Sequence, residues 1–202
     1  MIDAARLATL QTEAVARWHV DLINDDCREF DALVFANHEI NFRLWHEEDQ
    51  ARDPSATDII IAQVKRRIDR LNQQRSDAIE QLDNAILDVL ATRNMGNASR
   101  LPMNTESPGS AIDRLSILAL RVYHLAEQID RPEISDSARS RVTVSLRVAE
   151  RQRANLVDSL QQLFDDIFAG RKQHQTFRQL KMYNDPELNP VIYKHKQPRS
   201  TD

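Results

Sequence analysis

The sequence predicts an all-α protein: a four-helix bundle made from a duplicated antiparallel helical hairpin, with an N-terminal helix and an extended C-terminal strap. Three observations predict it. Glycine and proline are sparse, 3 and 7 in 202 residues, and they mark boundaries. Two long segments without either, 55–95 and 133–169, repeat apolar residues at the helical period. One ungapped offset of 78 residues aligns the first half of the chain with the second.

The elements follow in order. A first helix over about 3–24 carries Leu7, Leu10, Ala14, Trp18 and Leu22 on one stripe. A second, over 27–52, carries Phe30, Leu33, Ile40 and Leu44, and ends before Pro54. The third, over 58–93, lines up Val64, Ile68, Leu71, Ala78, Leu82, Ala85 and Val89 behind a Thr57 cap. The linker 94–109 follows. The fourth helix, over 111–130, opens with Ser110 and Asp113 as a capping-box-like pair and carries Ile112, Leu115, Leu118, Val122, Leu125 and Ile129. The fifth, over 136–169, aligns Val142, Ala149, Leu156, Leu160, Leu163 and Ile167, with Ser135 as cap and Gly170 as stop. From 171 to 202 the helical period is lost. Turn formers alternate there with Tyr183, Leu188, Val191, Ile192 and Tyr193, which predicts a strap laid across the bundle with those side chains buried.

The duplication is detailed. Residues 43–54 (RLWHEEDQARDP) match 121–132 (RVYHLAEQIDRP): Arg43 with Arg121, Trp45 with Tyr123, His46 with His124, Asp49 with Glu127, Gln50 with Gln128 and Pro54 with Pro132. The same offset pairs Thr57 with Ser135, Gln74–Arg75 with Gln152–Arg153, and Leu82 with Leu160. Repeat 1 thus spans about 27–93 and repeat 2 about 111–170, within a single helical domain over 1–202. Short hairpin loops at 53–57 and 131–135 force antiparallel neighbours. The first helix and the tail are expected outside this bundle.

Composition narrows the function. Hydrophobic residues at 41% and charged residues at 29% suit a folded, non-membrane chain. No apolar run approaches the roughly 20 residues that cross a bilayer, so no membrane insertion is expected. The first residues, MIDAARLATL, lack a basic leader and apolar run, and a lone cysteine, Cys27, excludes an internal disulfide; both predict a cytoplasmic protein. Residues 1–170 hold 20 Lys and Arg against 28 Asp and Glu, while 171–202 hold 7 against 3. A basic tail on an acidic body settles on that body, and the acidic surface argues against nucleic acid as a partner.

A duplicated hairpin supplies its own control: what one copy alone carries needs a reason beyond the fold. Asn41, Trp45, Glu48 and Arg52 share a face of the second helix, and repeat 2 has Ala119, Tyr123, Ala126 and Asp130 there. Lys65, Asp69 and Asn72 share a face of the third, against Thr143, Arg147 and Glu150. Antiparallel packing is expected to set Glu48 against Lys65, and Asp49 or Asp69 against Arg52 or Arg75. Arg75 and Arg153 sit on the apolar stripes, so each needs a partner; Asp69, Asp77, Glu80 and Glu150 are the candidates. Asn41, Trp45, Glu48, Asp49, Arg52, Lys65, Asp69, Asn72 and Arg75 therefore form the candidate polar cluster or ligand site.

Metal and cofactor chemistry is not predicted. His46 with Asp49 and His124 with Glu127 are i, i+3 pairs, which reads as hydrogen bonding near helix ends. A ferritin-like di-iron site needs Glu-x-x-His on two helices, and no Glu precedes a His by three here. No Walker, G-x-G-x-x-G, H-E-x-x-H or G-x-S-x-G motif occurs. Cys27 has no histidine partner that the sequence can assign.

The run N-x-x-L-W-x-x-E-D-x-A-R, from Asn41 to Arg52, is followed by Lys65, Ile68–Asp69, Asn72–Gln73, Arg75, Asp77 and Glu80. The tail adds Lys181, Tyr183–Pro186, Asn189–Pro190 and Tyr193. Together these resemble a bacterial domain-of-unknown-function family of small helical proteins, over about residues 35–195. The resemblance implies an all-α fold and a setting among cell-surface polysaccharide genes; it implies no activity. Ser76 stands where the family's Arg-Asn-Asp run has Asn, which puts any role of that position in doubt.

The expectation is a non-catalytic helical interaction or ligand-binding protein for an anionic or sugar ligand, accessory to envelope polysaccharide assembly. The alternative is an enzyme on such a substrate, with Glu48, Asp49 or Asp69 as acid or base. A homodimer is expected because Phe35 and Phe42 make the second helix apolar on more than one face.

Overall fold

The computed structural model describes residues 2–20, 29–93, 101–180, 182 and 185–193. Within them lie α1 (Ala4–Trp18), α2 (Glu29–Ala51), α3 (Asp58–Thr92), α4 (Pro108–Asp130), α5 (Asp136–Phe168) and a short α6 (Pro190–Tyr193). The fold is an all-α bundle. Two hairpins, α2–α3 and α4–α5, are present, and Thr57 and Ser135 cap their second arms by accepting the backbone N–H of Ile60 and Ala138. Gly170 ends α5 in the left-handed region at φ 67°, which a residue with a Cβ would adopt at a cost.

The start of α4 differs from the expectation. Ser107, not Ser110, is the cap, and Pro108 occupies the first helical position, where its missing N–H costs nothing. Asp113 does not reach back to the helix start. It is buried and turned toward α3. Gly109 lets the two helices close up, because its N–H donates to Asp83 at 2.7 Å and a Cβ there would lie 2.7 Å from the Ile79 carbonyl oxygen.

The first helix is also not outside. Ala4, Leu7, Ala8, Gln11, Ala14, Val15 and Trp18 are all buried, and α1 packs on α2, α4 and α5. It takes up the apolar surface that α2 shows on its second face: Trp18 packs edge-on against both Phe35 and Phe42. Its predicted last turn, including Leu22, and Cys27 lie outside the described residues.

Contacts between α1, α2 and α4 advance together along all three, so these helices run parallel. Asn37 meets Asp113, His38 meets Ser116 and His46 meets His124; Arg6 meets Asp31 and His19 meets His46; Gln11 reaches the carbonyl of Ile112 and His19 stacks on Tyr123. The core is therefore layered. Leu7, Val34 and Ile112 form an apolar layer; Gln11, His38 and Ser116 a buried polar one; Val15, Phe42 and Leu120 a second apolar one. Trp18–His19, Trp45–His46 and Tyr123–His124 occupy equivalent places above them. The long helices α3 and α5 brace this trio from outside. Asp83 of α3 accepts from the start of α4, and its repeat mate Gln161 of α5 accepts from Ala4 N–H at 2.9 Å at the start of α1. The twofold repeat seen in sequence thus sits inside an approximate threefold.

The strap is present to residue 179. Gln173 N–H donates to Pro102 C=O, His174 is buried against Asp83, Thr176 donates to Asn84, and Gln179 N–H donates to Glu80. Beyond it the expectation fails. Leu188, Val191 and Ile192 are exposed, in a turn closed by local bonds to Asp185 C=O and a helix of 4 residues. The side chains of Tyr183 and Tyr193 lie outside the described residues.

Candidate functional site

The nine residues of the predicted cluster divide into three groups. Asn41, Trp45, Glu48, Arg52, Asn72 and Arg75 line one cleft of about 350 Å³ between α2, α3 and α4, completed by Leu44, Ile117, Leu120 and Arg121. Asp49 faces a neighbouring groove of about 650 Å³ along α4 and α5, which Trp45 and Arg121 also line, with His124, Leu125, Val144 and Val148. Lys65 and Asp69 are in neither: they are exposed and pair with each other one turn apart on α3.

The expected charged seam between α2 and α3 is not formed by those residues. Glu48 and Asp49 both turn to Arg52 within their own helix, at 3.2 and 3.5 Å. Salt bridges with i, i+3 or i, i+4 spacing need no interhelix register, so they compete with pairing across the seam. The link between α2 and α3 runs instead through Arg67, which donates to Glu47 at 2.6 Å and to Gln50 at 3.2 Å.

Beneath the cleft the polar groups close on one another. Asp113, 3% exposed, accepts from Asn37 Nδ2 at 3.0 Å, Asn41 Nδ2 at 2.9 Å, and both Nε and Nη2 of Arg75. This fork replaces the partners expected for Arg75 on its own helix, and it holds the guanidinium above the usual arginine range. Arg153 differs from its repeat mate. It donates to Ala8 C=O and Thr12 Oγ1 of α1, and burial lowers its pKa. Asn41 also donates to Ser116 Oγ, which lies 2.7 Å from His38 Nδ1. Burial drives the His38 pKa down to about 3, so this imidazole is neutral at physiological pH.

Above the cleft lies a cluster that spacing within one helix did not reveal. One ring nitrogen from each of His19, His46 and His124 lies within 4.8 Å of the other two, each on a half-buried side chain. His19 Nδ1 sits 2.7 Å from Val15 C=O, an acceptor only, so Nδ1 carries the proton and Nε2 the lone pair. His124 Nδ1 lies 2.9 Å from Glu127, which fixes the same tautomer. Both Nε2 atoms are buried with no hydrogen-bond partner. Trp45 stacks on His124 at 4.7 Å and Tyr123 on His19 at 4.3 Å. The predicted His124–Glu127 pair is present, but as part of this larger group. Its signal was legible as an aromatic–His dipeptide occurring three times, at 18–19, 45–46 and 123–124; only the last two share the offset of 78.

Among the described residues no helix is long and apolar enough to cross a membrane. No curated protein matches this chain, and no solved structure does. The chain belongs to a family of proteins of unknown function: the family model described as "Protein of unknown function (DUF4254)" matches residues 31–176, from α2 into the strap.

Proposed function

We propose that this member of the family is a non-catalytic binding protein for a small anionic, sugar-type ligand, seated where the two clefts meet at Trp45 and Arg121. The observation that carries the reading is Arg121. It is exposed at the junction, lines both clefts, and has no carboxylate within ion-pair distance among the described residues. Its repeat mate Arg43 is paired with Glu39. A planar fork of donors beside an indole and amide side chains suits a phosphate or carboxylate attached to a sugar. Cleft volumes of a few hundred Å³ suit a ligand of that size.

A thermal-shift screen of phosphosugars and nucleotide sugars tests this. At a ligand concentration of about 100 Kd, binding adds about 2.7 kcal/mol, a rise of about 5–10 °C for a chain of this length. Arg121→Gln should abolish the rise and Glu48→Ala should change it, while the unliganded Tm of Arg121→Gln stays within about 2 °C. A flat screen, or a rise that survives Arg121→Gln, contradicts the site.

We infer a bacterial cytoplasmic setting, in support of cell-envelope polysaccharide assembly. The family resemblance and the single cysteine support it. We also propose a homodimer, on a surface other than Phe35 and Phe42, which α1 covers. Because α2 and α4 run parallel, both hairpin tips lie at one end, where Ile59, Ile60 and Ile61 are exposed. Light scattering should give twice the chain mass, falling to one chain mass in Ile59→Glu; a monomeric wild type refutes the dimer.

A further inference from the structure

We infer that His19, His46 and His124 form a binding site for one divalent transition-metal ion of the zinc class, one imidazole from each of the three parallel helices. The site goes beyond the ligand cleft and does not depend on it.

The geometry comes first. Three atoms no more than 4.8 Å apart share a point within about 2.8 Å of each. A zinc–imidazole bond is about 2.0–2.1 Å, so inward movements of no more than about 0.8 Å complete the shell. Movements of that size are within reach of rings on half-buried side chains.

The second argument is the hydrogen bonding behind the rings. A metal ligand must present a lone pair, and the far nitrogen of a ligating histidine is normally tied to a carboxylate or a backbone carbonyl. Both arrangements occur here. Glu127 holds His124, the Val15 carbonyl holds His19, and the two Nε2 lone pairs are left buried with no proton donor. An unpartnered buried nitrogen is costly, and two in one layer need a common explanation. A cation supplies it.

Third, the donor set selects the ion. Three imidazole nitrogens favour Zn²⁺, Co²⁺, Ni²⁺ or Cu²⁺ over Mg²⁺ and Ca²⁺, which prefer oxygen. Among the described residues no carboxylate or thiol joins the three within the same distance. Three protein ligands leave a coordination position for water or an exogenous group, as in zinc sites that react rather than brace. The stacked Trp45 links this layer physically to the clefts it lines.

The test uses the full chain, stripped with a chelator and then titrated with Zn²⁺ and separately with Co²⁺. The expected result is one equivalent of tightly held metal per chain, a raised Tm, and the visible absorption of four- or five-coordinate Co²⁺. His124→Gln and His46→Gln should each lose stoichiometric binding. Glu127→Gln, which keeps all three ligands, should weaken it about 10–100-fold. Failure of the wild type to retain any of these ions, or retention unchanged in His124→Gln, overturns the proposal. Metal-free circular dichroism of each variant separates lost binding from lost fold, and the wild-type Co²⁺ spectrum stands even if a variant does not fold.

Discussion

Asp113 shows how a single carboxylate can organise three helices. It takes two amides from α2 and a guanidinium from α3 while sitting on α4, so its charge is fully used in a place water does not reach. Removing that charge leaves Arg75 and two amides facing an empty socket. Asp113→Ala should cost about 3–5 kcal/mol, a fall in Tm of roughly 6–20 °C; a fall of under 2 °C would mean the fork is ornamental. His38 contributes differently, through protons. Its folded pKa of about 3 lies below the unfolded value near 6.5, so below pH 6.5 the unfolded chain binds a proton that the folded chain refuses. The stability it supports is present above pH 6.5 and is lost as pH falls toward 3, at up to about 1.4 kcal/mol per pH unit. Between pH 6.5 and 4, urea unfolding of the wild type should therefore lose about 3 kcal/mol more than that of His38→Gln. Parallel slopes would contradict a buried neutral imidazole. The need for partners at Arg75 and Arg153 was readable from their places on apolar stripes. Their identities were not, because a stripe says which face is covered and not which helix covers it.

At the scale of elements, boundaries were the legible part. Proline, glycine and capping residues located both hairpins, and α3 begins at Asp58 and α5 at Asp136 as their caps predict. Ser107 falls within the expected linker 94–109, although proline at the first helical position, here Pro108, is as good a start as any. The position of α1 was the larger error. An apolar stripe alone does not distinguish a helix lying on a bundle from one inside it; the burial of Gln11 does, and that appears only in the folded chain. The two readings differ energetically. If α1 is a core member, Leu7→Ala opens a cavity in the innermost layer and costs about 2–5 kcal/mol, a fall of roughly 4–20 °C in Tm. An outer helix would lose less than about 1 kcal/mol at the same position.

For the molecule as a whole, the repeat at 78 residues pairs residues in sequence without saying how they pack. It identified Trp45–His46 and Tyr123–His124 as mates but could not say that they face each other, since that depends on α2 and α4 running parallel side by side. Parallel neighbours put equivalent residues in the same layer, and α1 enters the trio with Trp18–His19 in register. The same arrangement sets Trp45 and Arg121 at the junction of the clefts and separates them from Lys65 and Asp69, which the sequence had grouped with them. Convergence of three equivalent histidines is the claim on which this picture of the molecule rests. X-ray absorption of the zinc-loaded full chain measures it most directly. Three nitrogen ligands at about 2.0–2.1 Å, with the outer-shell scattering of imidazole rings, is the predicted result. A shell of oxygen alone, or of sulfur, would contradict it.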